Sequence, residues 1–454
     1  MFKVSQYTYK MFNDNHELLL YNSSIGSSSF CKINSIDTPR INALLSNNHS
    51  GIDLSNDSVL IELAKRGFIV DEQFDENMPC HLLYLKAVNN RELHLVINPT
   101  DSCNFKCIYC YENELNSCMS DETQNSIVNF VKRNIKNFEG LNVSWFGGEP
   151  LLRLDIIKSL SEKFINICHQ AKRSYISTIT TNGYLLTADT LKSLLRLKII
   201  HYQITLDGPS KTHDMQRPLK NGMGTFDTIF KNLIDINNQC RHSIYHISLR
   251  TNFTSTIYPY LEEYLNLIEK HFADNSHFDI LIRVADDWGG ERIKGMQSKL
   301  IADDRQTIRN IITLMKNHKL KFNLMRHMFD PGNNFCYAAK INSYSINSSG
   351  EISKCTTDLK LNPDLKIGDV TSSDFLINKA ASLKWIIPYE NTCSCFFKPV
   401  CLGIRCPKEL YKHKIMSQNE NKNNIGCPFE RNYINDLFLL FDNSNMFPLL
   451  NLSS

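Results

Sequence analysis

The chain has 454 residues, of which 42% are hydrophobic and 21% charged, with a formal net charge of +3. That length exceeds one ordinary domain, and the composition is that of a globular protein without low-complexity tracts or short repeats. The small charge and the lack of a dense Lys/Arg run exclude nucleic acid as the default partner, and no apolar run approaches the ~18 residues that span a bilayer. Met1–Lys10 has no signal-peptide core, so the expected location is cytoplasmic, with neither a membrane nor a nucleic-acid partner. Fifteen cysteines in such a chain point to metal or redox chemistry rather than to disulfides.

Residues 1–90 read as a small α+β unit. Tyr7–Met11, Leu18–Asn22 and Ser29–Ile36 have strand character, and helical patterns follow near 38–47 and 57–66, the second closed by Gly67. Residues 91–325 alternate regularly. Strands are expected near 93–99, 141–146, 174–180, 199–206, 244–253 and 278–284, with helices near 119–136, 153–171, 187–196, 224–238, 257–273 and 301–317. This alternation predicts parallel strands with crossover helices, and six units are too few to close a barrel. Residues 326–454 form a third, cysteine-rich part.

The first strand of the alternating region runs into Thr100-Asp101-Ser102-Cys103-Asn104-Phe105-Lys106-Cys107-Ile108-Tyr109-Cys110-Tyr111. Soft thiolates favour iron-sulfur clusters or zinc; three of them on a four-iron cube leave one iron open, whereas a closed zinc knuckle would borrow a fourth ligand from elsewhere. The spacing CxxxCxxC, with an aromatic residue before the last cysteine, resembles the radical S-adenosylmethionine superfamily at Cys103, Cys107, Tyr109 and Cys110. The resemblance continues in order. Gly147-Gly148-Glu149-Pro150, at the end of a strand, is similar to the family's GGEP element, which binds the methionine amino group. Paired glycines allow close backbone approach, and a carboxylate accepts from an ammonium. Further strands end in Thr180-Thr181-Asn182-Gly183 and Thr205-Leu206-Asp207-Gly208, at the edge where parallel barrels hold ligands. The resemblance implies a cofactor contact at Thr205 and Asn182 and a pairing of Arg217 with the methionine carboxylate; Arg250-Thr251-Asn252 is a weaker candidate. It also implies a partial (β/α)6 barrel.

From Cys336 onward, Cys336, Cys355, Cys393, Cys395, Cys401, Cys406 and Cys427 follow, with a hairpin-like turn at Asn347-Ser348-Ser349-Gly350. The order is similar to a SPASM domain, a module that carries auxiliary clusters, although the spacings after Cys393 depart from its pattern. The resemblance implies one auxiliary 4Fe-4S cluster on Cys336, Cys355 and Cys406 and another on Cys393, Cys395, Cys401 and Cys427. With the catalytic one this makes three. Zinc ribbons also use closely spaced cysteine pairs. Cys31, Cys80, Cys118, Cys168 and Cys240 are isolated and receive no role.

The resembled family cleaves S-adenosylmethionine reductively to methionine and a 5′-deoxyadenosyl radical, with an electron donor such as flavodoxin or ferredoxin. The expected substrate is a ribosomally made precursor peptide that gains a cross-link, as in cyclophane-forming or darobactin-type maturases. Anaerobic sulfatase maturases are the competing reading. They place an Asp directly after the cysteine that follows the glycine, whereas here Cys355 is followed by Thr356 and Thr357 and only then by Asp358. A non-enzymatic iron-sulfur or zinc protein would leave GGEP, Thr205 and Arg217 without a purpose. Residues 1–90 suit either a cap on the barrel or a unit that takes a leader peptide along a strand edge. The loop Asp286-Asp287-Trp288-Gly289-Gly290-Glu291-Arg292 is expected over the barrel mouth.

Overall fold

The structure, a computed structural model, describes residues 1–46, 50–112, 117–288, 292–301, 304–358, 366–372, 377–389, 395–403, 406–408 and 427–450. The N-terminal part contains β1 (Phe2–Val4), β2 (Thr8–Phe12), β3 (Leu18–Asn22), β4 (Cys31–Ile33), α1 (Thr38–Ser46), α2 (Ser58–Lys65), β5 (Ile69–Asp71) and α3 (Asn77–Val88). The barrel follows as β6 (Glu92–Ile97), α4 (Asp121–Asn134), β7 (Gly140–Trp145), α5 (Leu154–Gln170), β8 (Ser174–Thr181), α6 (Ala188–Arg196), β9 (Ile199–Thr205), α7 (Ser210–Gln216), α8 (Phe226–Gln239), β10 (His246–Phe253), α9 (Leu261–Phe272), β11 (Phe278–Val284) and α10 (Arg305–Met315). Then come β12 (Ser343–Ile346), β13 (Glu351–Ser353) and β14 (Gly368–Asp369).

Strands β6 to β11 are parallel neighbours in sequence order, so each helix crosses back over the sheet, as the alternation predicts. The crossover helices form where a capping side chain precedes an apolar stripe. Ser120, Thr187 and Asp304 accept from the backbone of Thr123, Thr190 and Thr307 at the starts of α4, α6 and α10. On α5 the buried Ile156, Leu160, Phe164 and Cys168 recur every four residues and face the sheet. Each such aliphatic or aromatic side chain contributes about 1.5–3 kcal/mol on burial. Truncating Leu160, which is wholly buried, to Ala would cost about 2–5 kcal/mol.

Two features were not anticipated. The short helix α7 interrupts the path from β9 to α8 and delivers Arg217 from its C-terminal end. The hairpin β12–β13 does not stand apart from the barrel. Strand β12 pairs in parallel with β6, and β13 and β14 extend the sheet to nine strands among the described residues. His94 on β6 ties this junction together: Nδ1 meets Ser343 Oγ at 2.8 Å and Nε2 meets Ser144 Oγ at 3.1 Å. The described turn has Asn347 as its organiser, its Oδ1 accepting from the backbone of Ser349 and Glu351.

In the N-terminal part β2, β3 and β4 form an antiparallel sheet and β1 pairs with β5. Leu18, Leu20, Cys31, Ile33, Ile41, Leu63 and Phe68 make its core. The expected strand at Ser29–Ile36 shrinks to Cys31–Ile33, because Ser27–Ser29 is a 3-10 turn and Asn34 turns the chain by accepting from Asp37 N at 2.8 Å. Helix α3 escaped notice because it is apolar all round: Cys80, Tyr84 and Val88 are buried while Met78, Leu82 and Leu85 are exposed, which erases the helical period. The segment Pro448–Leu450 lies along β4, with Lys32 N donating to Pro448 O and Leu450 N to Lys32 O, both at 2.8 Å. Leu450 joins the core beneath, and Phe447 stacks on Phe30 with ring centroids 4.4 Å apart. Among the described residues no helix is long and apolar enough to cross a membrane.

Candidate active site

The loop after β6 is pinned before any ligand is considered. Lys106 N donates to Pro218 O at 2.8 Å and Ile108 N to Gln216 O at 3.0 Å, which ties the cysteine loop to the exit of α7. Cys103, Cys107 and Cys110 all open into one cavity at the C-terminal ends of the strands. Burial raises all three thiols, Cys110 to about 12; the Glu149 carboxylate adds to the effect at Cys103, and the thiols reinforce one another. Among the described residues no three His, Cys, Asp or Glu side chains converge as they would around a single metal ion.

The next strand tip requires glycine. A Cβ on Gly147, whose φ is +114°, would lie 2.6 Å from Thr100 O, and one on Gly148 would lie 2.3 Å from Ser102 O. The two loops therefore touch through backbone alone, sealed by Glu149 N donating to Ser102 O at 2.9 Å. Glu149 is wholly buried. Its carboxylate accepts from Thr181 Oγ1 and Asn182 N, each at 2.7 Å, and from Leu151 N at 3.0 Å. Burial raises its pKa and these donors oppose the rise. A carboxylate has about four acceptor positions, so one remains for a ligand donor.

Asn182 lines the cavity but acts within the protein: its Nδ2 donates to Asn104 Oδ1 at 2.7 Å and its Oδ1 accepts from Tyr184 N at 3.0 Å. Thr205 and Gln203 of β9 and Asn252 of β10 complete the wall. Tyr109 reaches across the mouth. Its hydroxyl donates to the Asp207 carboxylate, accepts from Arg217 Nη1 at 2.9 Å and meets Asn252 Nδ2 at 3.3 Å. Arg217 also lies 3.9 Å from Asp207, and its buried Nε has no hydrogen-bond partner among the described residues. Burial opposes the Arg217 charge, but Tyr109, Cys107 and Asp207 more than restore it. Asp207 was missed as a site residue, although its place directly after the Thr205 tip offered the signal. Asp286, Trp288 and Arg292 line the same cavity, and Gly289, Gly290 and Glu291 lie outside the described residues.

The later cysteines fall into two neighbourhoods. Cys336 is within electrostatic reach of Cys355 and Cys406, and Cys401 of Cys395 and Cys427; Cys393 lies outside the described residues. A buried lysine lies beside Cys336 of the first set. Lys354 is wholly buried, its Nζ donates to Lys340 O and to Ile341 O, and it lies 5.1 Å from the centroid of the Tyr344 ring. Burial lowers it to about 7 and Cys336 pulls it back. Lys408 Nζ donates to Thr357 Oγ1 at 2.9 Å, and that hydroxyl lies 3.1 Å from Cys355 Sγ. Tyr111, another lining residue of the cavity, feels both Cys110 and Cys355, so this set adjoins the mouth. Of the isolated cysteines, Cys31, Cys80, Cys168 and Cys240 are buried and Cys118 is exposed.

A parallel sheet whose strand ends bring three thiols, a glycine-only cradle and a buried carboxylate to one cavity defines an α/β protein with a candidate active site there. Residues 97–270 match the family model of the Radical SAM superfamily, so that part of the chain forms a radical SAM domain. It is 25% identical over 271 residues to an uncharacterized protein of Methanocaldococcus jannaschii, a match covering 58% of this chain and 85% of the other. It is 31% identical over 149 residues to a cysteine-type anaerobic sulfatase-maturating enzyme of Clostridium perfringens, covering 30% of this chain and only 39% of that protein. A solved structure described as native anSMEcpe with bound AdoMet and Cp18Cys peptide shares the fold, with a TM-score of 0.54 and 17% identity over 78% of this chain and 97% of that one.

A radical SAM domain implies a 4Fe-4S cluster and S-adenosylmethionine, and the residues present fit both. The three thiols need a cationic partner to ionise at this depth, the backbone cradle at Gly147 and Gly148 admits a ligand where a Cβ could not stand, and the Arg217 Nε, unpaired among the described residues, awaits an acceptor.

Proposed function

We propose that this enzyme removes hydrogen from a ribosomally made peptide and leaves a cross-link in it. In this reading Cys103, Cys107 and Cys110 hold the catalytic cluster, and Gly147, Gly148, Glu149, Thr205 and Arg217 hold S-adenosylmethionine. Cys336, Cys355 and Cys406, and Cys393, Cys395, Cys401 and Cys427, would hold two auxiliary clusters, and a flavodoxin or ferredoxin would donate the electron that the reaction needs. Residues 1–90, 91–325 and 326–454 act as recognition, catalytic and auxiliary parts. When bound, the cluster and S-adenosylmethionine supply a carbon radical able to break an unactivated C–H bond.

The protein's own residues supply position. Glu149 offers an acceptor to an ammonium, Tyr109 braces Arg217 against Asp207, and Trp288 adds an apolar ring to the cavity wall. The observation that carries the reading is the adjacency through Tyr111, which puts the cavity beside Cys355: a substrate radical formed at the mouth has an electron acceptor next to it. Buried Lys354 suits that acceptor, because a thiolate cluster is anionic.

The test has two stages. Anaerobically prepared protein should contain roughly twelve irons per chain and form deoxyadenosine when reduced. Co-expression with neighbouring short reading frames, followed by mass spectrometry, should then show loss of a pair of hydrogens per link. A Ser or Cys converted to an aldehyde would instead establish sulfatase-type maturation. Zinc without iron would remove the enzymatic reading altogether.

A further inference from the structure

Arg217, Arg250 and Arg292 all line the cavity, and the first two have partly different neighbours. Arg217 neighbours Cys107 and is felt by Glu149, so it belongs to the end where the cysteine loop meets the glycine cradle. Arg250, near the tip of β10, has Arg283, Tyr111, Tyr109 and Asp207 around it. Arg250 shares Tyr109 and Asp207 with Arg217, and Tyr111 in turn neighbours Tyr337 and Cys355, so Arg250 continues the same pocket toward the auxiliary region.

The local bonds leave Arg250 ready for a ligand. Its Nε donates to Asn252 Oδ1 at 2.9 Å, which fixes the plane of the guanidinium, and the residue lines the cavity. The carboxylates nearby are engaged elsewhere. Asp207 takes Tyr109 and, at 2.8 Å, Asn252 N, while Glu430 takes Arg283 at 3.0 Å. Burial and the Arg283 charge both work against the Arg250 cation. A guanidinium in this state is stabilised most by an anion that arrives with two coplanar oxygens.

We propose that Arg250 selects the substrate by receiving a carboxylate of the peptide, from an Asp or Glu side chain or from the peptide's own C-terminus. The proposal rests on the peptide reading above and names the chemistry that reading leaves open.

The reconstituted full chain with S-adenosylmethionine can be offered three octapeptide libraries: capped peptides with a central Asp or Glu, capped peptides with Asn or Gln there, and the Asn/Gln peptides with a free C-terminus. Deoxyadenosine release above the peptide-free rate is read. One of the two carboxylate-bearing libraries should exceed the capped neutral one by about tenfold, the scale of a charge-assisted bidentate contact, and which one does so identifies the source. R250Q should bring that ratio to about one, and R250K should keep part of it because the charge remains without the fork. R250K also serves if R250Q does not fold. Affinity for S-adenosylmethionine, measured by calorimetry, should stay within about twofold in both variants; a loss of about tenfold would assign Arg250 to the cofactor and overturn the proposal. Equal stimulation by all three libraries would overturn it while leaving the peptide reading intact. No stimulation by any would sink both.

Discussion

At the barrel mouth the three thiols of Cys103, Cys107 and Cys110 come from one loop, and backbone bonds to Gln216 and Pro218 hold that loop in place. In the C-terminal region the thiols that neighbour one another come from positions 336, 355 and 406 in one case and 395, 401 and 427 in the other. The first arrangement is local, and its geometry is bought by strand tips and glycine contacts. The second closes loops of tens of residues, whose entropy a bound group must offset. In the proposed function the two sets therefore carry different structural duties: the local one serves reaction, the dispersed one also holds chain segments together.

The contrast can be broken directly. Replacing Cys103, Cys107 and Cys110 together by Ala should abolish deoxyadenosine formation and remove about four irons per chain, with little change in the thermal midpoint. Replacing Cys336, Cys355 and Cys406 should also remove about four irons but lower the midpoint by several degrees, since distant segments lose their tie. Equal midpoint shifts in the two variants would show that the local and dispersed sets do not differ in duty.

A titration sharpens the comparison at the seam between the regions. Burial lowers His94, which joins β6 to β12, to about 4. Its ordinary pKa near 6.5 persists in the unfolded chain, so the unfolded state binds the proton first as pH falls. Stability should be constant above about pH 6.5 and decline toward pH 4, by on the order of 3 kcal/mol over the whole interval. Urea unfolding of wild type and His94→Gln at several pH values measures this; a wild-type slope no steeper than the variant's would refute it. At the smallest scale, Glu149→Ala and Arg217→Ala should each weaken S-adenosylmethionine binding by about tenfold or more through loss of a charge-assisted partner. Calorimetry that finds both affinities unchanged would mean that the cofactor lies elsewhere.

Much of the barrel could be read from the chain, because each strand is a short apolar run ended by polar residues and each helix keeps its apolar stripe. The six strands and their helices lie within a few residues of where patterning puts them. Legibility failed where a contact is not local. Nothing in Ser343–Ile346 says that it will pair with β6, since parallel pairing joins strands far apart in sequence. The same holds in the site. Glu149 stands out by its motif, but the Tyr109–Asp207–Arg217 arrangement exists only once three separate segments meet. Helix α7 was hidden in a run of polar residues, and α3 in a run without a polar face.

The strand that Pro448–Leu450 adds beside β4 bears on how the chain is made. The N-terminal sheet is synthesised well before Leu450, whose side chain completes its core. During translation that sheet waits with an open edge and an unfilled apolar site, and an open edge is a template for other strands. Maturation of the N-terminal part is thereby timed by a segment that follows the barrel: it can finish only after the barrel and the cysteine region have emerged.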